Sequence, residues 1–152
     1  MSSGLGPRPE PPRGYTRSVS LTTVTWTGDR LQFVGEPGYG GSLLLGGDAE
    51  GPGAKPSDLL PISLATCTAY DVVVILGKQR QDLQGMRIVT ESVQDPDPPF
   101  TFRSIHMHFV FSGPIDERKA ARAVELSESK YCGVAASLRA TVRITHSVEI
   151  AG

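Results

Sequence analysis

The 152-residue sequence is short of the features that usually announce a function. It has two cysteines, one tryptophan and three histidines, and 15 basic against 16 acidic side chains leave a formal net charge of -1. A balance so near neutral gives no global electrostatic argument for nucleic acid or an anionic membrane surface, and neither is expected as a partner. An uninterrupted apolar run of the roughly 20 residues that span a bilayer is not expected either. The opening MSSGLGPRPEPPRGYT lacks the apolar stretch of a secretory signal. A cytoplasmic location is therefore expected, where thiols are kept reduced and a structural disulfide is out of place. Two cysteines in that setting are either inert or do redox chemistry.

Other chemistries lack their ligands. The two cysteines stand 65 positions apart with no CxxC pair, which makes a poor zinc site. His106 and His108 would point to one face of a strand, but no third ligand stands at useful spacing, so no metal is expected and the two read as solvent-facing strand histidines. The glycine-rich run GEPGYGGSLLLGGDAEGPG does not end in the GK[ST] of a phosphate loop and reads as a connection.

What is present is a clear succession of elements. Residues 1–15 are rich in Pro, Gly and Arg and are expected to form a flexible tail, with one domain over 16–152. SVSLTTVTW and LQFVGE read as a hairpin around TGDR, with Gly28 and Asp29 in the turn, and SLLL as a third short strand. A helix is expected from about Pro56 to Gln81, apolar on nearly every face in its middle, hence buried on several sides. MRIVTESVQ and FTFRSIHMHFVFSG read as a hairpin around DPDPP. IDERKAARAVEL is an amphipathic helix with Ala120, Ala123 and Val124 inward, SKYCGVAASL starts a third helix, and RATVRITHSVEI closes as a strand. The order β-β-β-α-β-β-α-α-β is an α+β fold, in which one sheet of the early and late strands could wrap the central helix.

The cysteines are ambiguous taken singly. On a helix Cys67 has Ser63, Leu64, Tyr70 and Asp71 as its one-turn neighbours. Asp71 disfavours a thiolate there, so a reactive Cys67 needs a cation from elsewhere in the fold. Cys132 would lie in the first turn of a helix beginning near Ser129–Lys130, where unpaired N–H groups and Lys130 favour a thiolate. Either residue, on this local reading alone, is as well explained by a buried core thiol.

Taken together, KPSDLLPISLATCTAYDVVVIL and SESKYCGVAASL resemble the osmotically inducible/organic hydroperoxide resistance (OsmC/Ohr) superfamily, in wording nearest its OsmC-like branch. The resemblance runs from about Ser18 to Ile150. It implies an OsmC-like fold on an intertwined homodimer, with long central helices wrapped by antiparallel or mixed sheets and active sites between subunits. It implies a thiol-dependent peroxidase for organic hydroperoxides in oxidative stress defence. Cys67 would be the attacking cysteine and Cys132 the resolving one, with no bound cofactor and an external thiol reductant, in some members dihydrolipoyl. The family's arginine after the first strand corresponds to Arg30 of TGDR, the cation that would hold Cys67 as thiolate. Ser57 stands where hydroperoxidases of the family carry a glutamate ten residues before the first cysteine. Asp58 follows it, either reaching Arg30 with a shorter side chain or stabilising the helix N-terminus. The Ser57 substitution keeps open a second expectation, a thiol-binding or redox-responsive protein with little peroxidase activity.

Overall fold

In the computed structural model, residues 20–38, 40–46 and 51–152 are described. The tail expected over 1–15 and part of the glycine-rich connection lie outside them. The chain divides into two compact units, Met1–Ala54 and Lys55–Gly152.

Within the first unit, β1 (Thr23–Trp26), β2 (Gln32–Glu36) and β3 (Leu43–Gly46) form an antiparallel meander in that order. The turn after β1 reverses the chain through left-handed backbone at Gly28 (φ 87°) and Arg30 (φ 44°), a region glycine enters freely and arginine only under constraint. Part of that constraint is the Trp26 indole N–H, which donates to the Arg30 carbonyl at 3.0 Å.

The second unit is built on a long helix. Pro56–Asp58 forms a 3₁₀ turn that leads into α1 (Leu59–Lys78); Pro61 is tolerated because the first-turn amides have no intrahelical acceptor. The antiparallel pair β4 (Gly85–Gln94) and β5 (Phe102–Ser112) follows, and β6 (Arg143–Ala151) joins β5 in parallel. A parallel neighbour needs a long crossover, supplied here by α2 (Glu117–Leu126), a π-helical turn (Ser127–Tyr131) and α3 (Gly133–Leu138). Ile105, Met107, Phe109 and Phe111 alternate along β5 and are fully buried, joined by Leu64, Val72 and Leu76 of α1 and by Ala120, Ala123 and Val124 of α2. The inward set expected on α2 is thus the one that packs, and Asp116 caps that helix by accepting the Lys119 N–H at 3.0 Å.

Three expectations need correction. Among the described residues the early and late strands form two separate three-stranded sheets, not one, because every ladder there runs between strands of the same unit. The Pro56–Lys78 stretch reaches a mean hydropathy of 1.9 over an 18-residue window and is, by length and composition, apolar enough to cross a bilayer. Its polar interruptions are too few to lower that value, and in this fold the apolarity serves packing against α2, α3 and β4. The helix is also buried along one face within one chain, not on several sides. Pro61, Leu64, Ala65, Thr68, Val72 and Leu76 face the core, while Ile62, Tyr70, Val73 and Val74 are exposed.

Candidate active site

Cys67 sits mid-way along α1, half-buried and packed against the core cluster that contains Cys132. The crossover from β5 to β6 passes back across α1 and delivers Cys132 to the same place, 1% exposed, at the N-cap of α3. Its Sγ accepts the Ala135 N–H at 3.3 Å. Both thiols are free, and each lies in the other's immediate environment. Residues 65 positions apart in the sequence thus become neighbours in the fold.

The electrostatics at Cys132 differ from the sequence expectation. Burial pushes its thiol up, and the Cys67 side chain beside it adds to the rise; the Ala135 N–H and the Thr68 hydroxyl pull the other way without winning. The expected lowering by a helix start fails for two reasons. The helix begins only at Gly133 and spans six residues, so its dipole is small. Lys130, moreover, turns its ammonium to within 5.8 Å of the Tyr131 ring centroid.

The π-helical turn before Cys132 is tied at two points. The Cys132 N–H reaches back five residues to the Ser127 carbonyl at 2.7 Å. The buried Ser127 hydroxyl donates to Asp71 Oδ2 at 2.6 Å, fastening the turn to α1 one helical turn beyond Cys67. Asp71 is therefore engaged by Ser127, an anchoring role that helix spacing alone does not reveal. On the other side, Glu128 Oε2 meets His146 Nδ1 of β6 at 2.9 Å. A π turn stores the extra residue that lets a helix end re-aim a side chain, and here the side chain is Cys132.

The hydrogen bond and charge of Glu128 hold the His146 imidazole above its ordinary value, against the effect of burial; Glu125 contributes in the same direction. A folded pKa raised above the unfolded value of about 6.5 means the pair stabilises fully below that pH and loses its contribution as pH climbs through the folded value. The drop in melting temperature caused by His146→Gln is therefore expected to be a few degrees near about pH 5.5 and to shrink by about pH 9. Thermal melts at both pH values check this, and an equal drop at both would rule out a charged His146.

The remaining candidate residues are placed as follows. Arg30 belongs to the first unit, in the exposed turn after β1, whereas Cys67, Cys132, Ser57 and Asp58 belong to the second. Ser57 lies in the 3₁₀ turn with its hydroxyl buried and without a hydrogen-bond partner. Asp58 occupies the N-cap of α1 but its side chain makes no capping hydrogen bond, since the residue already has helical dihedrals (φ -71°, ψ -20°) that aim the carboxylate away from the first-turn amides. It can act on the helix only through its charge. Leu60, Phe100, Phe102 and Leu138 line a groove of 670 Å³ beside Ser57 and Lys55. His106 and His108 are half-buried rather than open to solvent, because they bond along β6 to Thr145, Ser147 and Glu149 at 2.7–3.0 Å. Among the described residues no group of three or more His, Cys, Asp or Glu could hold a metal ion.

The fold that carries this pair of thiols has counterparts among known proteins. Residues 47–147 match the family described as OsmC-like protein. Protein YhfA of Escherichia coli K12 is 36% identical over 128 residues, spanning 84% of this chain and 95% of that protein. The crystal structure of an OsmC-like protein from Mycoplasma pneumoniae superposes with a TM-score of 0.77 at 14% identity, covering 90% of this chain and 100% of that one. An organic hydroperoxide resistance protein OsmC from Legionella pneumophila superposes with a TM-score of 0.65 at 17% identity, covering 89% of this chain and 99% of that one. At such identities the two structures speak for the fold alone, whereas the family match extends over both cysteine segments and YhfA is related over most of the chain. On those grounds the chain belongs to the OsmC-like family.

Proposed function

We propose that the protein is a thiol-dependent peroxidase that reduces organic hydroperoxides to alcohols in oxidative stress defence. The observation that carries this reading is the meeting of Cys67 and Cys132 inside one packed core. In the proposed cycle the Cys67 thiolate attacks the terminal peroxide oxygen, the O–O bond breaks, and the alkoxide leaves as alcohol after taking a proton. Cys67 becomes a sulfenic acid. The Cys132 sulfur then attacks the Cys67 sulfur, the S–O bond breaks and hydroxide leaves as water, so the peroxide's two electrons have come from two thiols. An external dithiol, such as a dihydrolipoyl group, exchanges with the disulfide and restores both cysteines. Arg30 is assigned the activating role, by correspondence with the family's arginine.

Alkyl substrates are favoured over small polar ones by the surroundings of the thiol: Leu64 is buried one turn before it, and Leu60 lines the apolar groove at the helix start. The exposed apolar face of α1 supports a homodimer in which that face is covered by a second copy. The cytoplasm, with its reducing thiol pool, is the compartment in which such a cycle runs.

A second reading, a thiol-binding or redox-responsive protein with little turnover, is favoured by two observations. The buried Ser57 hydroxyl has no partner where hydroperoxidases of the family carry a glutamate, and the Cys132 thiol is pushed up by burial. The two are separated by treating the reduced protein with one equivalent of cumene hydroperoxide. Peroxidase chemistry gives one equivalent of cumyl alcohol and an intramolecular Cys67–Cys132 disulfide within the mixing time. Unreacted peroxide and two free thiols after an hour would exclude it.

A further inference from the structure

Thr68 follows Cys67 on α1, is 0% exposed, and its hydroxyl has no hydrogen-bond partner. Hydroxyls inside helices ordinarily return a hydrogen bond to the carbonyl one turn back. The neighbouring ones do so here: Ser63 donates to the Leu60 carbonyl at 2.9 Å and Thr66 to the Ile62 carbonyl at 2.8 Å. Thr68 does not. It lies instead on the buried stripe Leu64–Thr68–Val72, which packs in the core that holds Cys132, with its hydroxyl beside the Cys132 thiol. An idle buried hydroxyl costs stability, so a valine of the same shape would suit a purely structural core better.

We propose that Thr68 is a catalytic hydrogen-bond donor for the resolving step, stabilising the Cys132 thiolate as it forms. The proposal rests on the dithiol peroxidase reading. In the reduced protein the Cys132 sulfur is neutral and accepts weakly, and the Thr68 O–H is left unengaged. When Cys132 ionises, the sulfur becomes a strong acceptor inside the core, where no water competes. The Ala135 N–H at 3.3 Å supplies one fixed donor, and the Thr68 O–H swings to supply the second. Thr68 keeps its proton throughout. The proton leaving Cys132 goes to the departing hydroxide, the S–S bond forms and the S–O bond breaks. The arrangement explains how a thiol that burial disfavours as an anion can still act as a nucleophile: the donor is held in reserve until the charge appears.

The test compares Thr68→Val with Thr68→Ser. In a Cys67→Ala background, the thiolate absorbance of Cys132 is followed against pH; Thr68→Val is expected to move the titration up by about one unit and Thr68→Ser to leave it unchanged. This readout requires no peroxide and so fails independently of the peroxidase reading. With both cysteines present, disulfide formation after one equivalent of cumene hydroperoxide is expected to slow about tenfold in Thr68→Val, with serine restoring the rate. Thr68→Val should at the same time melt no lower than the parent, which separates loss of a donor from damage to the core. An unshifted titration, or a serine variant that behaves like valine, overturns the proposal.

Discussion

Cys67→Ser is expected to lower the turnover of tert-butyl hydroperoxide with a dithiol reductant to that of the reductant alone. A serine hydroxyl is not ionised at neutral pH and cannot carry the sulfenic oxidation state, so both the attack and the intermediate disappear. Cys132→Ser is expected to behave differently. Its Cys67 still consumes one equivalent of peroxide, and the reaction then stalls at the sulfenic acid, which dimedone captures and mass spectrometry locates. The two variants together identify which sulfur meets the peroxide. The proposed role of Cys67 follows from the family resemblance, and its half-buried position, against 1% exposure for Cys132, is compatible with it. Wild-type turnover from Cys67→Ser, or dimedone on Cys132 instead of Cys67, would overturn it. Core damage is an unsuitable explanation for a loss, because serine is close in volume to cysteine and a half-buried site tolerates the hydroxyl; unchanged melting behaviour checks that.

The order of elements was legible because each rests on local chemistry. Alternation in FTFRSIHMHFVFSG marks β5, and Ala120, Ala123 and Val124 mark the core face of α2. The pairing of Cys67 with Cys132 is not local at all. Neither helix spacing nor thiol chemistry brings positions 67 and 132 together; only the resemblance of both segments to one family suggested it, and the parallel β5–β6 ladder is what realises it, by sending the crossover back over α1. The residues that sequence reasoning missed share the same cause. Ser127, Glu128 and His146 act through contacts made across α1, the π turn and β6, and a polar residue before a cysteine gives no sign of which partner it will find. Thr68 stood beside Cys67 in plain sight, but what singles it out is the hydrogen bond it fails to make, a property of packing and not of sequence. Asp71 shows the same limit: helix spacing places it one turn from Cys67 but gives no sign that the fold also engages it with Ser127.

Val73→Asp is expected to break the proposed homodimer. Val73 is 49% exposed and Tyr70 is 76% exposed in the single chain, and with Thr66, Ala69 and Val74 they line an apolar groove of 270 Å³ along α1. The opposite face of the same helix is already filled by Leu64, Thr68, Val72 and Leu76. A helix whose second face is this apolar gains by covering it, and in the proposed homodimer a second copy of the chain would supply a matching helix about a two-fold axis, each α1 presenting the same residues to the other. In the isolated chain an aspartate at position 73 would remain hydrated and cost little. Between two copies it would be stripped of water twice over, once per subunit, with no cation on this stripe to pair with. A penalty of about 4 kcal/mol corresponds to a dissociation constant raised about 10³-fold. Sedimentation equilibrium at micromolar concentration should therefore give a dimer mass for the natural sequence and a monomer mass for Val73→Asp, while Lys119→Asp, exposed on α2, leaves the dimer intact. A monomeric natural sequence, or a Val73→Asp variant that stays dimeric, would show that this face is covered by something other than a second copy.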